Sequence, residues 1–336
     1  MSIVVPVFNG EKYLRESLDS ILTQSYPRTE ILVMDDASTD RSRDIATSYG
    51  ENIRYHRQPE NKGQFDNVND GILIAQGDYI AVFHADDVYS TTIVESEVAF
   101  LERYPNAGAV FSHDIFIDAA GREYGRLKIP PELCGGRPLE YSAILNALLK
   151  YKNTFLVGPS AMVRAAVYRE VGLYRGREYR IASDLEMWVR IARKYSVGIL
   201  EDYLMSYRHG HGNATQNYYY LRTEPEGHFS ILDACLLDGG RFLTTAEAIK
   251  AHEAHRAEDQ LMLAVNHYIR SEQSQARAVL GSVRTRQLLA SNQIQYGRLL
   301  ILLYLLKVLV RLPRLSLIAT LFYRRWHVKK FAKQTS

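Results

Sequence analysis

The sequence predicts an α/β protein: a mostly parallel sheet with helices on both faces, followed by a C-terminal α-helical region. Two observations carry that expectation. The first stretch, about 120 residues, alternates short apolar runs with segments whose apolar residues recur at i, i+3 and i+4. The spacing between runs leaves room for a helical crossover each time, which makes successive strands parallel and covers both faces of the sheet.

The elements follow in order. Ser2–Phe8, Glu30–Met34, Ile53–Arg57, Tyr79–His84 and Ala109–Phe116 read as strands, and Glu11–Gln24, Thr39–Tyr49, Phe65–Ala75 and Thr91–Arg103 as the helices between and after them. Ser38-Thr39-Asp40 opens the second helix and Gly50 closes it. Beyond this, Pro130-Pro131 and Gly135-Gly136 mark a loop, and Leu139–Tyr151 and Ala182–Tyr195 are helical. The pattern from about residue 225 to 295 is helical with a break at Asp238-Gly239-Gly240. The expected division is a body over residues 1–222, a helical extension over 223–296 and a basic amphipathic segment over 297–336.

Composition narrows the function classes. The 336 residues carry 41 Lys+Arg and 38 Asp+Glu, and 46% are apolar, as in an ordinary folded protein. The net charge of +3 hides a split: after Glu272 there are 12 basic residues and no acid, leaving −9 on everything before. Such a tail faces an anionic membrane surface or a nucleic acid. Cys134 and Cys235 have no metal-type spacing and fit a reducing compartment. The opening Met-Ser-Ile-Val-Val-Pro-Val reads as a buried strand and not as a signal peptide, so a cytosolic location is expected.

Three acidic features fall at strand or helix ends: Asp35-Asp36, Asp86-Asp87 and Asp184. Adjacent carboxylates repel unless a cation or a hydrogen-bonding ligand relieves them. Each has a plain alternative as turn former or N-cap. Together, at successive sheet ends where ligands of such folds bind, they fit displacement at a phosphate-bearing leaving group. A divalent metal held by carboxylates and phosphate oxygens would neutralise the leaving diphosphate, and a separate carboxylate would take the proton of an incoming hydroxyl. No Gly-x-Gly-x-x-Gly follows the first strand and no Gly-Lys-Ser/Thr loop is present, which argues against a dinucleotide-binding dehydrogenase and a P-loop nucleotidase.

Ser2–Gly10, Glu30–Asp40, Asn61-Lys62-Gly63 and Tyr207-Arg208-His209 belong to a dense set of motifs over residues 2–215, and on that set the chain resembles the family 2 glycosyltransferases of GT-A fold. The resemblance lies in Ser2–Gly10, in Tyr13-Leu14, Ser17–Ile21 and Gln24–Pro27, and in Glu30–Asp40, which is similar to that family's Val-Asp-Asp-Gly-Ser-Thr-Asp signature. It continues in Asn61-Lys62-Gly63, Asn69–Ile72 and Gly77–Ile80, then in Gly158-Pro159-Ser160, Arg164, Val171-Gly172, Asp184, Trp188, Arg190 and Tyr207-Arg208-His209.

The resemblance implies an inverting transfer of a sugar from a nucleotide-diphosphate donor, expected to be a UDP-sugar, to a hydroxyl of a lipid-linked or growing saccharide. It implies that Asp184 is the general base. Pro6, Phe8, Asn9, Asp36, Asn61, Gly63 and Asp86 would bind the donor nucleotide, and Asp86 and Asp87 would hold a divalent metal, Mn2+ or Mg2+. His84, Trp188, Arg208, His209 and His211 are candidate contacts to the diphosphate or acceptor. Two positions depart from the family pattern. His84 stands where an acid often opens the metal motif, and Ser183 where an acid often precedes the base. They are the support for the rival reading, a non-catalytic scaffold or glycan-binding member of the same fold.

In the tail, a helix from Arg298 to Leu312 would be about 22 Å long, short of the ~30 Å hydrocarbon core. Lys307, Arg311 and Arg314 recur at i, i+4 and i+7 on an otherwise apolar surface, the pattern of a helix lying in a membrane interface. Arg324, Arg325 and Trp326 add a basic and aromatic edge suited to anionic headgroups. Peripheral association with the cytosolic face of a membrane is therefore expected. Packing within a homo-oligomer is the competing reading, and nucleic acid is disfavoured because the charges accompany leucine-rich runs.

Overall fold

The computed structural model describes residues 1–209, 221–289 and 294–312. They belong to two compact units, residues 1–145 with 153–209, and residues 146–152 with the chain from 210 onward.

The first unit is built on a nine-stranded mixed sheet. Strands β1 (Ser2–Val7), β2 (Glu30–Asp35), β3 (Arg54–Arg57) and β4 (Tyr79–Val82) pair in parallel in the order β3-β2-β1-β4. Ile3, Val4, Val5 and Val7 of β1 are all buried, as expected of a central strand covered on both faces. Helices α1 (Leu14–Leu22), α2 (Ser42–Thr47), α3 (Gln64–Ile74) and α4 (Ile93–Arg103) supply that cover. Leu14, Leu18 and Ile21 form the buried stripe of α1, and Ile93, Val94, Val98 and Leu101 that of α4.

The sheet continues past β4 through β8 (Ala161–Arg164), β6 (Ala107–Ile117), β9 (Ser196–Arg208) and β5 (Val88–Tyr89), and β7 (Glu123–Arg126) pairs with β6. The expectation of a mostly parallel sheet holds for strand direction and fails for pairing. Strands β1 to β4, β6 and β9 run one way, but β8 enters antiparallel between β4 and β6, while β5 and β7 oppose β9 and β6. The crossover rule fixes strands joined directly through one helix, whereas β8 is reached through the long segment after β7, so nothing imposes a parallel insertion. Helices α5 (Tyr141–Tyr151), α6 (Ala165–Val171), α7 (Gly176–Tyr179) and α8 (Ser183–Ala192) complete this part of the chain, the residues of α5 from 146 counting with the second unit. The functional consequence is that six strands deliver their carboxyl ends to one edge of the sheet.

The second unit is helical: α9 (Gly227–Leu237), α10 (Ala246–Ile269), α11 (Gln273–Ser282), α12 (Thr285–Leu289) and α13 (Ile294–Leu309). Thr245 caps α10 by accepting the Ala248 N–H at 3.1 Å. Its core joins Ala257, Leu261 and Ala264 of α10 with Leu280 of α11 and with Leu303, Leu306 and Val310, so the apolar run of the tail buries one face against its own unit. Among the described residues, no helix is long and apolar enough to cross a membrane. Arg314, Arg324, Arg325 and Trp326 lie outside the described residues.

Helix α3 lies against β1 and β2 at Gly71, where an added Cβ would come within 2.5 Å of Val4 Cγ1 and 3.0 Å of Met34 Cγ. The Gly71→Ala variant should therefore lose about 1–3 kcal/mol of stability by overpacking, measured as a lower urea midpoint at unchanged slope.

Candidate active site

The first wall of the site is made by the loops that follow β1 and β2. Asp35 and Asp36, equivalent on paper, do different things. Asp35 is fully buried and saturated: its carboxylate accepts the Ser38 N–H at 2.8 Å, an Arg57 N–H at 3.0 Å and the Tyr55 hydroxyl. It is a framework residue. Asp36, also buried, accepts the backbone N–H groups of Lys62 at 2.7 Å and Gly63 at 2.9 Å, one on each oxygen. It thereby fixes the 61–63 loop, where Asn61 also accepts the Gly63 N–H at 3.0 Å. Gly63 has φ +87°, a left-handed conformation that glycine adopts without strain. Asn9 ties the two loops together: its N–H donates to Ser38 Oγ, and its side-chain oxygen accepts the Thr39 N–H. Pro6 pairs in register with Met34 just below, and Phe8 stands 52% exposed above. Phe8, by contrast with the buried Asp36, presents its ring to solvent.

The second wall is the acidic turn after β4. A side-chain nitrogen of His84 and a carboxylate oxygen each from Asp86 and Asp87 lie within 4.8 Å of one another. Asp87 is buried; its Oδ1 accepts the Arg208 N–H at 2.8 Å, while Oδ2 is buried without a hydrogen-bond partner and lies 3.9 Å from His84 Nδ1. Burial, then the neighbouring Asp86, pushes the Asp87 carboxyl well above the usual carboxylate range. Burial likewise holds the His84 imidazole below the ordinary histidine range, which favours the neutral ring that ligates metals. One imidazole and two carboxylates, one of them with an unpartnered buried oxygen, fit a divalent cation, and His84 lies close enough to be the third donor.

The third wall is the start of α8. Asp184 lies in its first turn, half-buried, with Oδ1 accepting the Leu185 N–H at 2.7 Å. Gly158 lies beside the acid: a Cβ there would sit in ordinary contact with Asp184 Oδ2, at 3.8 Å. Burial raises the Asp184 carboxyl to about 6. Tyr207 links this wall to the second: its phenol is held protonated first by burial, then by the negative charges of Asp87, Asp86 and Asp184. Sequence reasoning gave Tyr207 no role of its own. Ser183 donates its hydroxyl to the Arg180 carbonyl at 2.6 Å, so the position that departs from the family pattern starts the helix.

Two residues expected to touch diphosphate or acceptor are engaged elsewhere. Trp188 is buried, edge-on to Phe111 at 5.0 Å and to Tyr174 at 6.0 Å, and belongs to the core. Arg208 is also buried. It donates to Glu16 Oε2 at 2.7 Å, to the Asp86 carbonyl at 2.8 Å and to the Asp118 carbonyl at 3.3 Å, with its guanidinium over the Tyr13 ring at 4.5 Å. It holds the acidic turn from behind. His209 follows at the end of β9, edge-on to Tyr207 at 4.7 Å and bonded to the Tyr124 hydroxyl. His211 lies outside the described residues.

Residues 2–172 match the sequence profile described as Glycosyl transferase family 2, half of the chain, and the protein belongs to that family. An uncharacterized glycosyltransferase of Rickettsia typhi is 28% identical over 207 residues, 59% of this chain and 60% of that protein, so the chain spans about six-tenths of the relative's length. S. aureus TarS 1–349, solved in complex with UDP-GlcNAc, is similar in fold with a TM-score of 0.56 at 16% identity, covering 96% of this chain and 91% of that one. The mannosyltransferase PcManGT from Pyrobaculum calidifontis, solved with GDP-Man and Mn2+, gives 0.55 at 18% identity, covering 97% and 87%.

If Arg208 holds the turn and does not contact the donor, Arg208→Lys should cost about 2–4 kcal/mol of stability, because an ammonium cannot reproduce the fork. Thermal melting of the donor-free protein reads this; a diphosphate contact would leave that melting point unchanged and raise only the donor KM.

Proposed function

We propose that the protein transfers a sugar with inversion from a nucleotide-diphosphate donor, a UDP-sugar in the first instance, to a hydroxyl of a lipid-linked or growing saccharide at the cytosolic face of a membrane. The observation that carries this reading is Asp184: a carboxyl raised to about 6 by burial, sharing Tyr207 as electrostatic neighbour with the acidic turn. A base of that pKa is ionised at neutral pH and is a better proton acceptor than an ordinary aspartate.

The donor's base would lie along Phe8 and Asp36, on the loops that Asn9, Asn61 and Gly63 brace. His84, Asp86 and Asp87 would hold a divalent cation, Mn2+ or Mg2+. Bound there, the cation supplies charge neutralisation for the departing diphosphate. In the transfer itself the acceptor O–H proton passes to Asp184 as the acceptor oxygen attacks the anomeric carbon. The bond from that carbon to the diphosphate oxygen breaks on the opposite face, which inverts the centre. His209, edge-on to Tyr207, is the candidate contact to the diphosphate or acceptor that the described residues retain. The complexes of TarS with UDP-GlcNAc and of PcManGT with GDP-Man and Mn2+ support the donor class and the cation. Support for the membrane face is the acid-free tail and the apolar surface of α13.

Release of nucleoside diphosphate, assayed over a panel of donors with cation present or chelated, tests this reading. Wild type should turn over one donor class. Asp184→Asn should lose about 10²–10⁴-fold in kcat. No release with any donor, and an Asp184→Asn variant indistinguishable from wild type, would leave a non-catalytic member of the fold. With Asp184 as the base, kcat/KM should fall tenfold per pH unit below about 6.

The same shift makes a stability prediction of definite sign. The folded pKa lies above the unfolded value, so the native state binds this proton more tightly, and the ionised buried form is a cost expressed in full above about pH 6. Asp184→Asn should therefore melt about 2–6 °C higher than wild type at pH 8, with the gap closing toward pH 4.

A further inference from the structure

The second unit carries a site that sugar transfer does not use. A cavity of about 390 Å3 between α11 and the end of α13 is lined by Arg277, Lys307 and Arg311 over an apolar floor that includes Leu280, Val283 and Val310. Three cations converge there with no acid in the lining, and no residue after Glu272 is acidic. None of the three forms an ion pair among the described residues. Arg277 instead donates through Nε and Nη2 to the Val310 carbonyl, at 3.1 and 2.9 Å. That contact covers a carbonyl at the end of α13, where the helix dipole would otherwise repel an anion.

Beside this cavity, α13 shows a second apolar face. Ile301, Tyr304, Leu305, Val308 and Leu312 are each about half exposed or more, at spacings that place them along one side of the helix. Scattered single apolar residues are ordinary on a surface, but a continuous stripe marks an interaction site. The two features meet, because Lys307 Nζ lies 5.6 Å over the Tyr304 ring.

We propose that this cavity binds the phosphate of an anionic membrane phospholipid, with the exposed stripe of α13 seated among the acyl chains beside it. The apolar stripe gives depth in the bilayer, and the three cations give selectivity for the anionic headgroup. This assigns a headgroup site to the membrane-surface part of the proposed function and rests on that part alone.

The test is co-sedimentation of the full chain with phosphatidylcholine vesicles, with and without phosphatidylglycerol, and in the presence of water-soluble glycerol phosphate. Wild type should bind the phosphatidylglycerol vesicles about tenfold or more tightly than pure phosphatidylcholine. Lys307→Gln/Arg311→Gln should remove that preference, and Lys307→Arg/Arg311→Lys should keep it. Arg277 is left in place because it holds the Val310 carbonyl, and thermal melting checks that the paired variants stay folded. Leu305→Ser/Val308→Ser should weaken binding to both vesicle types. If wild type binds vesicles and Lys307→Gln/Arg311→Gln keeps the full preference, the headgroup site is overturned while the membrane reading stands. If wild type binds neither vesicle, both fall. If glycerol phosphate binds wild type while vesicles do not, the site takes a free phosphate and the lipid assignment is overturned.

Discussion

The site depends on one buried charge. Arg208 enters at the carboxyl end of β9, and its partners come from three other parts of the first unit: Glu16 on α1, the acidic turn at Asp86 and Asp87, and Asp118 just past β6. A guanidinium taken out of water is tolerated only where its donors are satisfied and its charge is balanced. Here the balance is supplied by the ion pair with Glu16, and the remaining donors are satisfied by the Asp86 and Asp118 carbonyls. The backbone N–H of Arg208 occupies one oxygen of Asp87, which leaves the other facing His84. Sheet edge, helix α1 and acidic turn are thus one electrostatic unit, and the spacing of the metal-capable donors is set from behind by a residue that does not face the cleft.

Around that clamp, environment divides labour among carboxylates that look alike in sequence. Asp35 spends its acceptors on Ser38, Tyr55 and Arg57 and is framework, while its buried neighbour Asp36 organises the 61–63 loop. Asp87 is buried, and burial and then the half-buried Asp86 beside it push its carboxyl well above the usual carboxylate range. Deeper still, Asp114 and Glu97 are fully buried with neither oxygen of either partnered. Burial raises Asp114 to about 8 and Glu97 well above its usual range. The −9 read from the body therefore overstates the charge it carries at neutral pH, and an anionic donor approaches a less negative surface than composition implies.

What the sequence made legible follows from locality. Strands β1, β2 and β4 were readable because each is a short run buried largely through its own residues, with Asp36, Asp86 and Asp87 just beyond, and β3, exposed at both ends, was readable from its place between two helical patterns. Strand β8 was missed because it is four residues between a Gly-Pro-Ser turn and a helix. Strand β9 was missed because exposed Glu201 and Asp202 interrupt it and bulges break its register with β6. The buried setting of Arg208 was not legible for the same physical reason. Its partners lie 192, 122 and 90 residues away, and no local pattern encodes them. Trp188 was expected at the diphosphate or acceptor through the family resemblance, yet it packs edge-on to Phe111 and Tyr174, which only the fold brings near.

The tail shows where periodicity informs and where it misleads. A single polar stripe on an otherwise apolar helix was the expectation. Lys307 and Arg311 form that stripe, but the apolar surface to its two sides has different fates: Leu303 and Leu306 of α13 and Val310 just past it close the core of the helical unit, and Ile301, Tyr304, Leu305 and Val308 face outward. Lys307 and Arg311 lie at the boundary between them and converge with Arg277, a residue 30 positions before Lys307 that carries no helical relation to either. A sequence stripe gives the direction of a charge on its own helix; convergence with a neighbouring helix is what turns solvated charges into a pocket. Because no acid follows Glu272, nothing along that stretch of chain can neutralise the pocket, and the positive potential persists for an external anion to meet.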